Sequence, residues 1–323
     1  MSAVRIALVG AGSMGRNHAR VIATGARSEL AKVIDPFESA GRPVAEEHGA
    51  PWEPDLDSLR DVDAVVVAAS TEHHFDVARE VIRAGKPLLI EKPICPSLEQ
   101  SEEIVALSSA ADVPLMCGFL ERYNPAVMVG RRMIEDPVYI RAERHSPYAP
   151  RIKTGVAWDL LVHDVDLITQ ILGAQDPSRV NVEVGQFHPA SLPGAEDVID
   201  VSLGFDGGTV ASASASRVGQ RKIRSMTVQS LHEMIEIDLL RRGVTVYRQT
   251  EIDEDRPGGA GYRQVTEMEV PEITGREPLA SQLDRFVDIV EGRADAAAER
   301  DSILPAHRIV DMALRRRPSA AAG

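Results

Sequence analysis

A glycine motif between a short apolar run and a helical segment constrains this chain more than any other feature. Gly10, Gly12 and Gly15 have the spacing G-x-G-x-x-G, and the run Val4–Val9 before them is rich in β-branched residues. In a strand–turn–helix unit, glycine at these positions allows a tight turn, lets a pyrophosphate approach the backbone, and lets helix and strand pack closely. The motif therefore predicts that the chain begins with a dinucleotide-binding unit.

An acidic residue at the end of the next predicted strand supports this interpretation. The apolar run Leu30–Ile34 is followed by Asp35, which lies twenty residues after Gly15. A carboxylate there would accept hydrogen bonds from ribose hydroxyls and repel a 2′-phosphate, so we expect NAD rather than NADP. The amides at the start of the preceding helix, at Ser13 and Met14, would bind the pyrophosphate. Considered alone, Asp35 could equally be a turn residue.

Strand-like and helix-like segments alternate up to about residue 120. Such an order predicts a parallel sheet covered by helices, and we assign residues 1–120 to a doubly wound Rossmann domain. The glycine motif leads into a helix that runs to about Thr24. The other predicted strands are Val62–Ala68, Pro87–Ile90 and Val113–Cys117, and the other predicted helices are Phe75–Ala84 and Leu98–Ser109.

Residues 121–323 follow a different pattern, which predicts an α+β domain with a large open, mostly antiparallel sheet. A segment with helical spacing, Trp158–Leu172, precedes strand after strand from Arg179 to about Val270. The charged, Gly- and Pro-containing stretch Asp253–Gly261 is the predicted exposed loop. Closing helices are expected over Pro278–Glu291 and Pro305–Arg315. We assign this domain to substrate binding and oligomerisation, and expect a homo-oligomer, either a dimer or a tetramer.

Composition narrows the class of protein. Of 323 residues, 44% are hydrophobic and 26% are charged, and the formal net charge is −13. A large core is expected, whereas a general nucleic-acid binder would need a basic face. The two cysteines have no metal-ligand spacing, so we expect reduced thiols and no metal. Neither a signal peptide nor an apolar run of about 18 residues is evident, so a cytoplasmic protein without membrane segments is predicted.

Two further segments suggest catalysis. Glu91-Lys92-Pro93 directly follows a predicted strand, and ligands bind at the carboxyl ends of parallel strands. For this tripeptide considered alone, a solvated lysine in a charged turn is the better explanation. Asp159 and His163 are four residues apart on a predicted helix, so they share one face, as a proton relay requires. A helix cap and a buried core histidine are the alternatives for this pair, and a metal site is a third, although the sequence offers no obvious further ligand.

Taken together and in this order, the glycine motif, the E-K-P tripeptide and the D-x-x-x-H helix resemble the glucose–fructose oxidoreductase/inositol dehydrogenase (Gfo/Idh/MocA) family. The resemblance extends over nearly the whole chain. It implies that Lys92 is the active-site lysine, that Asp159 and His163 are the family's Asp/His pair, and that the Lys92–Pro93 bond is often cis. The implied cofactor contacts, besides the glycine motif and Asp35, are Ser70, Thr71, His74, Glu91 and Lys92.

In this family a hydride passes between a sugar or polyol carbon and nicotinamide C4. Lys92 and His163 are both candidates for the base that removes the hydroxyl proton. We favour Lys92 in contact with the substrate oxygen and His163 sharing the proton, with Asp159 orienting one of them. A non-catalytic NAD- or sugar-binding regulator is the alternative from another class.

Residues 118–127 and residues 147–156, which lead into Asp159, resemble the subgroup that oxidises the 3-hydroxyl of UDP-N-acetylglucosamine. In and beside these two stretches, the substrate-binding candidates besides His163 are Arg122, Tyr123, Asn124, Arg151 and Trp158. The position before the catalytic aspartate is usually aliphatic in that subgroup, so Trp158 is a departure that leaves a free sugar or inositol as the alternative substrate. A cluster of basic residues is also present in this region. It comprises Arg122, Arg141, Arg144, Arg151 and Lys153. Such a cluster can bind a diphosphate through bidentate arginine contacts. For Arg141 the alternative is an ordinary strand with a charged outer face.

Overall fold

A computed structural model of the chain describes residues 3–57, 59–150, 152, 154–256 and 259–316. The chain divides into two compact units. The first comprises Met1–Tyr123 and Arg276–Asp311, and the second comprises Asn124–Gly275 and Met312–Gly323. No helix among the described residues combines the length and the apolar character needed to cross a membrane.

The first unit contains a six-stranded sheet in the order β3-β2-β1-β4-β5-β6, in which all neighbouring strands are parallel. The predicted doubly wound parallel sheet is confirmed. Its strands are β1 (Val4–Val9), β2 (Ser28–Ile34), β3 (Trp52–Glu53), β4 (Ala64–Val67), β5 (Leu88–Ile90) and β6 (Leu115–Cys117). Its first four helices are α1 (Ser13–Thr24), α2 (Glu38–Glu47), α3 (His74–Arg83) and α4 (Leu98–Ala110).

The second unit contains helices α5 (Pro125–Met133) and α6 (Val162–Ile171) and an eight-stranded sheet. Its order is β14-β13-β12-β11-β7-β10-β9-β8, and β7 and β10 are the parallel neighbours in an otherwise antiparallel arrangement. The predicted mostly antiparallel sheet is confirmed. The strands are β7 (Tyr139–His145), β8 (Arg179–Gly185), β9 (Val198–Gly204), β10 (Val210–Ser216), β11 (Ile223–Gln229), β12 (Glu233–Asp238), β13 (Gly243–Arg256) and β14 (Gly259–Glu269).

The C-terminal helices return to the first unit. Helices α7 (Pro278–Val290) and α8 (Ala296–Asp301), with most of α9 (Leu304–Arg316), belong to it. The reason is burial, because Leu283 and Phe286 of α7 are 4% and 0% exposed and lie in the same core cluster as the residues of β1 and α1. The boundary expected at residue 120 assigned all of these helices to the second domain, so the structure differs from it here.

The described residues of the stretch Asp253–Gly261 form paired strands and not a loop. Strand β13 continues to Arg256 and β14 begins at Gly259, and these two residues pair across the hairpin. The ladder of backbone hydrogen bonds outweighs the loop-like composition. Pro257 and Gly258 lie outside the described residues.

Candidate active site

The three glycines of the motif have different surroundings. Gly10 has a φ of +93°, and a Cβ there would lie 2.5 Å from the Ala69 nitrogen. A Cβ at Gly15 would lie 2.0 Å from the Gly10 oxygen, so backbone packing excludes a side chain at both positions. At Gly12, the N-cap of α1, a Cβ would meet no atom within 4 Å. Open space before the amides of Ser13 and Met14 is what a pyrophosphate needs, so the loop fits a dinucleotide.

Asp35 is held at the carboxyl end of β2. One carboxylate oxygen accepts from the Ala11 amide at 2.8 Å and the other from the Phe37 amide at 2.9 Å. The side chain is therefore fixed against the glycine loop, with the residue 7% exposed. Each oxygen retains a second lone pair for a ribose hydroxyl. The geometry is compatible with the cofactor role predicted for Asp35.

The three predicted cofactor-binding residues after β4, Ser70, Thr71 and His74, differ in their exposure to solvent. Ser70 is exposed and Thr71 is half-buried, at the start of a 3₁₀ turn. His74 is 1% exposed, with its Nδ1 2.9 Å from the Pro93 oxygen and its Nε2 3.0 Å from the Ala69 oxygen. Burial lowers the pKa of His74. Both ring nitrogens thus face backbone oxygens, whereas Ser70 and Thr71 remain accessible for the predicted ribose contact.

Glu91-Lys92-Pro93 follows β5, and the Lys92–Pro93 peptide bond is cis, as the family resemblance implies. The Glu91 side chain is buried and its Oε1 lies 2.8 Å from Nε2 of His18 on α1. Its Oε2 accepts from the Lys92 amide at 3.3 Å. Lys92 itself is half-buried. Glu91 therefore anchors the turn that presents the candidate catalytic lysine.

Residues 122–124 are engaged in structural contacts. The Arg122 guanidinium donates to the Ser302 Oγ at 2.7 Å, pairs with Glu299 at 3.4 Å, and lies 4.7 Å from the Phe119 ring centroid. Asn124 caps α5 and donates to the Leu239 oxygen at 3.0 Å. These contacts account for Arg122 and Asn124 without a ligand. Tyr123 is half-buried and packs against the core of the first unit.

The helix that carries the Asp/His pair begins irregularly. Ala157–Leu161 form a π turn, and α6 continues from Val162. The predicted helix is present, but its first turn is wider than an α turn. In a regular α-helix, residues four apart are separated by slightly more than one full turn of 3.6 residues. The wider π turn brings the directions of Asp159 and His163 closer together. Both residues are half-buried, as is Trp158.

A residue that sequence reasoning missed supports the start of this helix. Glu196 is 6% exposed, and its Oε1 accepts from the Ala157 amide at 2.8 Å. A Cβ at Gly155 would lie 2.1 Å from the same oxygen, so a side chain there would displace the Glu196 carboxylate. Arg217 donates to the Glu196 backbone oxygen at 3.1 Å and also to the Thr154 oxygen. No local pattern signals a contact across 39 residues; Gly155 is the one hint within the sequence.

The described arginines of the predicted basic cluster each have acidic partners of their own. Arg144 is buried and makes two hydrogen bonds with Asp164 of α6, at 2.8 and 2.9 Å. Arg141 is exposed and pairs with Glu143 on the outer face of β7 at 2.5 Å. The alternating-strand interpretation is therefore the right one for this part of the cluster. Arg151 and Lys153 lie outside the described residues.

The two cysteines carry no evident chemistry. Cys95 and Cys117 are both buried thiols. Burial raises the pKa of the Cys95 thiol to about 12, so this group is a protonated packing residue at neutral pH.

Comparison with known proteins agrees with this geometry. Residues 4–119 match the sequence model described as "Oxidoreductase family, NAD-binding Rossmann fold", and residues 128–232 match the "GFO/IDH/MocA C-terminal domain". A UDP-N-acetylglucosamine 3-dehydrogenase from Acidithiobacillus ferrooxidans is 30% identical over 89% of this chain and 88% of its own. An inositol 2-dehydrogenase from Rhizobium meliloti is 26% identical over 97% of this chain and 96% of its own.

A solved structure of the Acidithiobacillus enzyme superimposes with a TM-score of 0.83 at 27% identity, covering 97% of this chain and 100% of that one. The Rossmann sheet, the glycine loop and these matches define an NAD-dependent dehydrogenase, as predicted. The chain belongs to the GFO/IDH/MocA oxidoreductase family.

Proposed function

We propose that the protein oxidises a secondary hydroxyl of a sugar to a ketone, with NAD⁺ as acceptor, and that the sugar is a nucleoside-diphosphate hexose oxidised at the 3-hydroxyl. The observation that carries this proposal is the 30% identity, over 89% of the chain, to a UDP-N-acetylglucosamine 3-dehydrogenase. The resemblance of the E-K-P and D-x-x-x-H segments to the family's motifs supports assigning the reaction to Lys92, Asp159 and His163.

The proposed roles follow from side-chain chemistry. Lys92 holds the substrate hydroxyl oxygen through its ammonium group, and His163 takes up the hydroxyl proton, since imidazole titrates near neutral pH. Asp159 orients the group that receives the proton. Bound NAD⁺ supplies nicotinamide C4 as the hydride acceptor. Gly12 and the amides of α1 would hold its pyrophosphate, and Asp35 its adenine ribose.

A free sugar or inositol is the second candidate substrate. It is supported by the similarity to the Rhizobium inositol 2-dehydrogenase over nearly the whole chain. Trp158 also supports a smaller substrate, because its large ring, directly before the proposed catalytic Asp159, reduces the space for a substrate beside that aspartate. Arg122 and Arg144, both engaged in ion pairs within their own units, lend no support to a diphosphate site.

The test is NADH formation with purified protein, NAD⁺ and a panel of UDP-N-acetylglucosamine, other nucleoside-diphosphate hexoses, glucose and myo-inositol. We expect reduction with the nucleotide sugars, and on the order of 10²–10⁴-fold less with His163→Ala. Activity with glucose or myo-inositol alone would refute the nucleotide-sugar substrate but support the proposed NAD-dependent oxidation of a hydroxyl. Tight NAD binding with no turnover of any sugar, and no effect of Lys92→Ala, would favour the regulator.

A further inference from the structure

Three buried histidines surround the segment that carries Lys92. We call residues 91–94 the lysine segment. Each histidine comes from a different helix of the first unit: His18 from α1, His74 from α3 and His307 from α9, with exposures of 2%, 1% and 0%.

His18 holds the beginning of the lysine segment. Its Nε2 donates to the Glu91 carboxylate, with the two heavy atoms 2.8 Å apart. Gly118 packs closely against Glu91 as well, because a Cβ at Gly118 would lie 2.9 Å from the Glu91 Cα and its Oε2. The residue before Lys92 is therefore fixed on both sides.

His307 holds the end of the segment. The Ile94 amide donates to the His307 Nε2 at 3.2 Å, and the His307 Nδ1 donates to the Ile303 oxygen at 2.9 Å. An acceptor at Nε2 and a donor at Nδ1 require the neutral ring. Burial, with a smaller effect of the nearby Arg122 charge, lowers the pKa of His307 to about 4 and keeps it neutral.

His74 contacts the middle of the segment. Its Nδ1 lies 2.9 Å from the Pro93 oxygen, and its Nε2 is 3.0 Å from the oxygen of Ala69, which follows β4. The ring thus ties the turn after β5 to the end of the neighbouring strand. Consequently residues 91, 93 and 94 each have a histidine partner, on both sides of Lys92.

We propose that His18, His74 and His307 are positioning residues that fix the direction of the Lys92 side chain. Packing alone would not need them, because an apolar side chain fills a buried space without the desolvation cost of an imidazole. A reacting group displaced by about 1 Å can lose on the order of a hundredfold in rate, which makes a rigid turn valuable here. The proposal rests on the function proposed above, in which Lys92 contacts the substrate oxygen.

Two neutral amides provide a matched test at His307. Glutamine can place its amide oxygen at the Nε2 position and still accept from Ile94, whereas asparagine reaches only the Nδ1 position and keeps the Ile303 contact alone. We expect His307→Gln to retain kcat within about threefold, and His307→Asn to lose roughly 10- to 100-fold in kcat with an NAD Kd near that of wild type. His18→Gln and His18→Asn should repeat this contrast, since Nε2 makes the Glu91 contact.

A second readout needs no sugar. The rate at which an amine-reactive acetylating reagent modifies Lys92, followed by mass spectrometry with NAD bound, should change severalfold in His307→Asn and His18→Asn and stay at the wild-type value in both glutamine variants. His232→Asn, an exposed hairpin histidine in the second unit, is the control for a histidine loss elsewhere. Melting temperatures of all variants identify any that fails to fold.

Equal kcat and equal Lys92 labelling in the glutamine and asparagine variants at both positions would overturn the proposal. A wild-type protein that oxidises no sugar would refute the proposed function instead. In that case the labelling contrast still decides whether the histidines position Lys92.

Discussion

At the residue scale, two glycines of one motif have opposite constraints. Gly12 faces open space, whereas a Cβ at Gly15 would clash with the Gly10 oxygen. Gly12→Ala should leave the melting temperature almost unchanged and weaken NAD binding by at least about tenfold, because the methyl group occupies the pyrophosphate approach. Gly15→Ala should lower the melting temperature as well. Calorimetry with and without NAD separates the two effects, and a Gly12→Ala protein that binds NAD normally would place the pyrophosphate elsewhere.

Also at this scale, the sequence predicts residues well where one backbone requirement dictates one residue type. Gly10 and Gly15 belong to this class, whereas the cis Lys92–Pro93 bond was expected from the family resemblance. Arg144 does not, because a buried and an exposed arginine look alike until the partner is known, and Asp164 lies 20 residues away. The partners of His18 and His307 are likewise distant in sequence, at Glu91 and Ile94.

At the element scale, the start of the helix that carries Asp159 and His163 depends on the Glu196 carboxylate, which accepts from the Ala157 amide and fills the space beside Gly155. Gly155→Ala should destabilise the second unit by roughly 1–3 kcal/mol, as overpacking does. Glu196→Ala should also destabilise it, by about 1 kcal/mol, through loss of the hydrogen bond to the Ala157 amide. The double variant should be more stable than the sum of the two changes implies, since removing the carboxylate makes room for the methyl group. Strict additivity in urea unfolding would mean that the two residues do not interact.

The same helix is joined to β7 by the buried Arg144–Asp164 pair. Arg144→Met should cost about 3–5 kcal/mol in unfolding free energy, because it leaves the Asp164 carboxylate buried without its partner. Arg144→Met combined with Asp164→Leu should recover most of that loss, since no charge then remains buried. Chemical denaturation of the three proteins decides this, and an equally large loss in the double variant would show that packing rather than charge is responsible.

Helices and strands can be predicted from the sequence where the hydrophobic pattern is strong. They cannot be predicted where contacts distant in sequence determine the structure. Val4–Val9 has the predicted bounds, and the buried run Ala64–Val67 lies within the predicted strand. The sequence analysis does not predict helix α2. Pro43 lies inside this helix, and an internal proline ordinarily indicates that a helix ends. The long β13–β14 hairpin was missed where its composition resembles a loop, because its cross-strand hydrogen bonds are invisible in the local sequence.

At the scale of the whole molecule, the folded state should be sensitive to acid through its buried neutral histidines. His307 has a pKa of about 4 in the folded protein against an ordinary value of 6.5, because burial disfavours the charged ring. The unfolded chain therefore binds a proton that the folded chain does not, and this group's contribution to stability is complete above about pH 6.5 and is lost as the pH falls towards about 4. The size of that loss is about 3 kcal/mol for His307 alone, and burial lowers the pKa of His74 in the same direction.

The measurement is urea unfolding from pH 8 to about pH 4 in a Trp158→Phe background, where the other of the two tryptophans, Trp52, reports on the first unit. We expect the unfolding free energy to fall steeply below about pH 6.5, and His307→Gln to reduce the slope, because glutamine has no proton to gain. An identical slope in wild type and His307→Gln would show that His307 accepts its proton without cost. In the folded enzyme the same ring stays neutral, and holds the Ile94 amide, until the pH approaches about 4. Dehydrogenase activity lost through this ring should therefore fall only as the pH approaches about 4, and that fall should be smaller in His307→Gln.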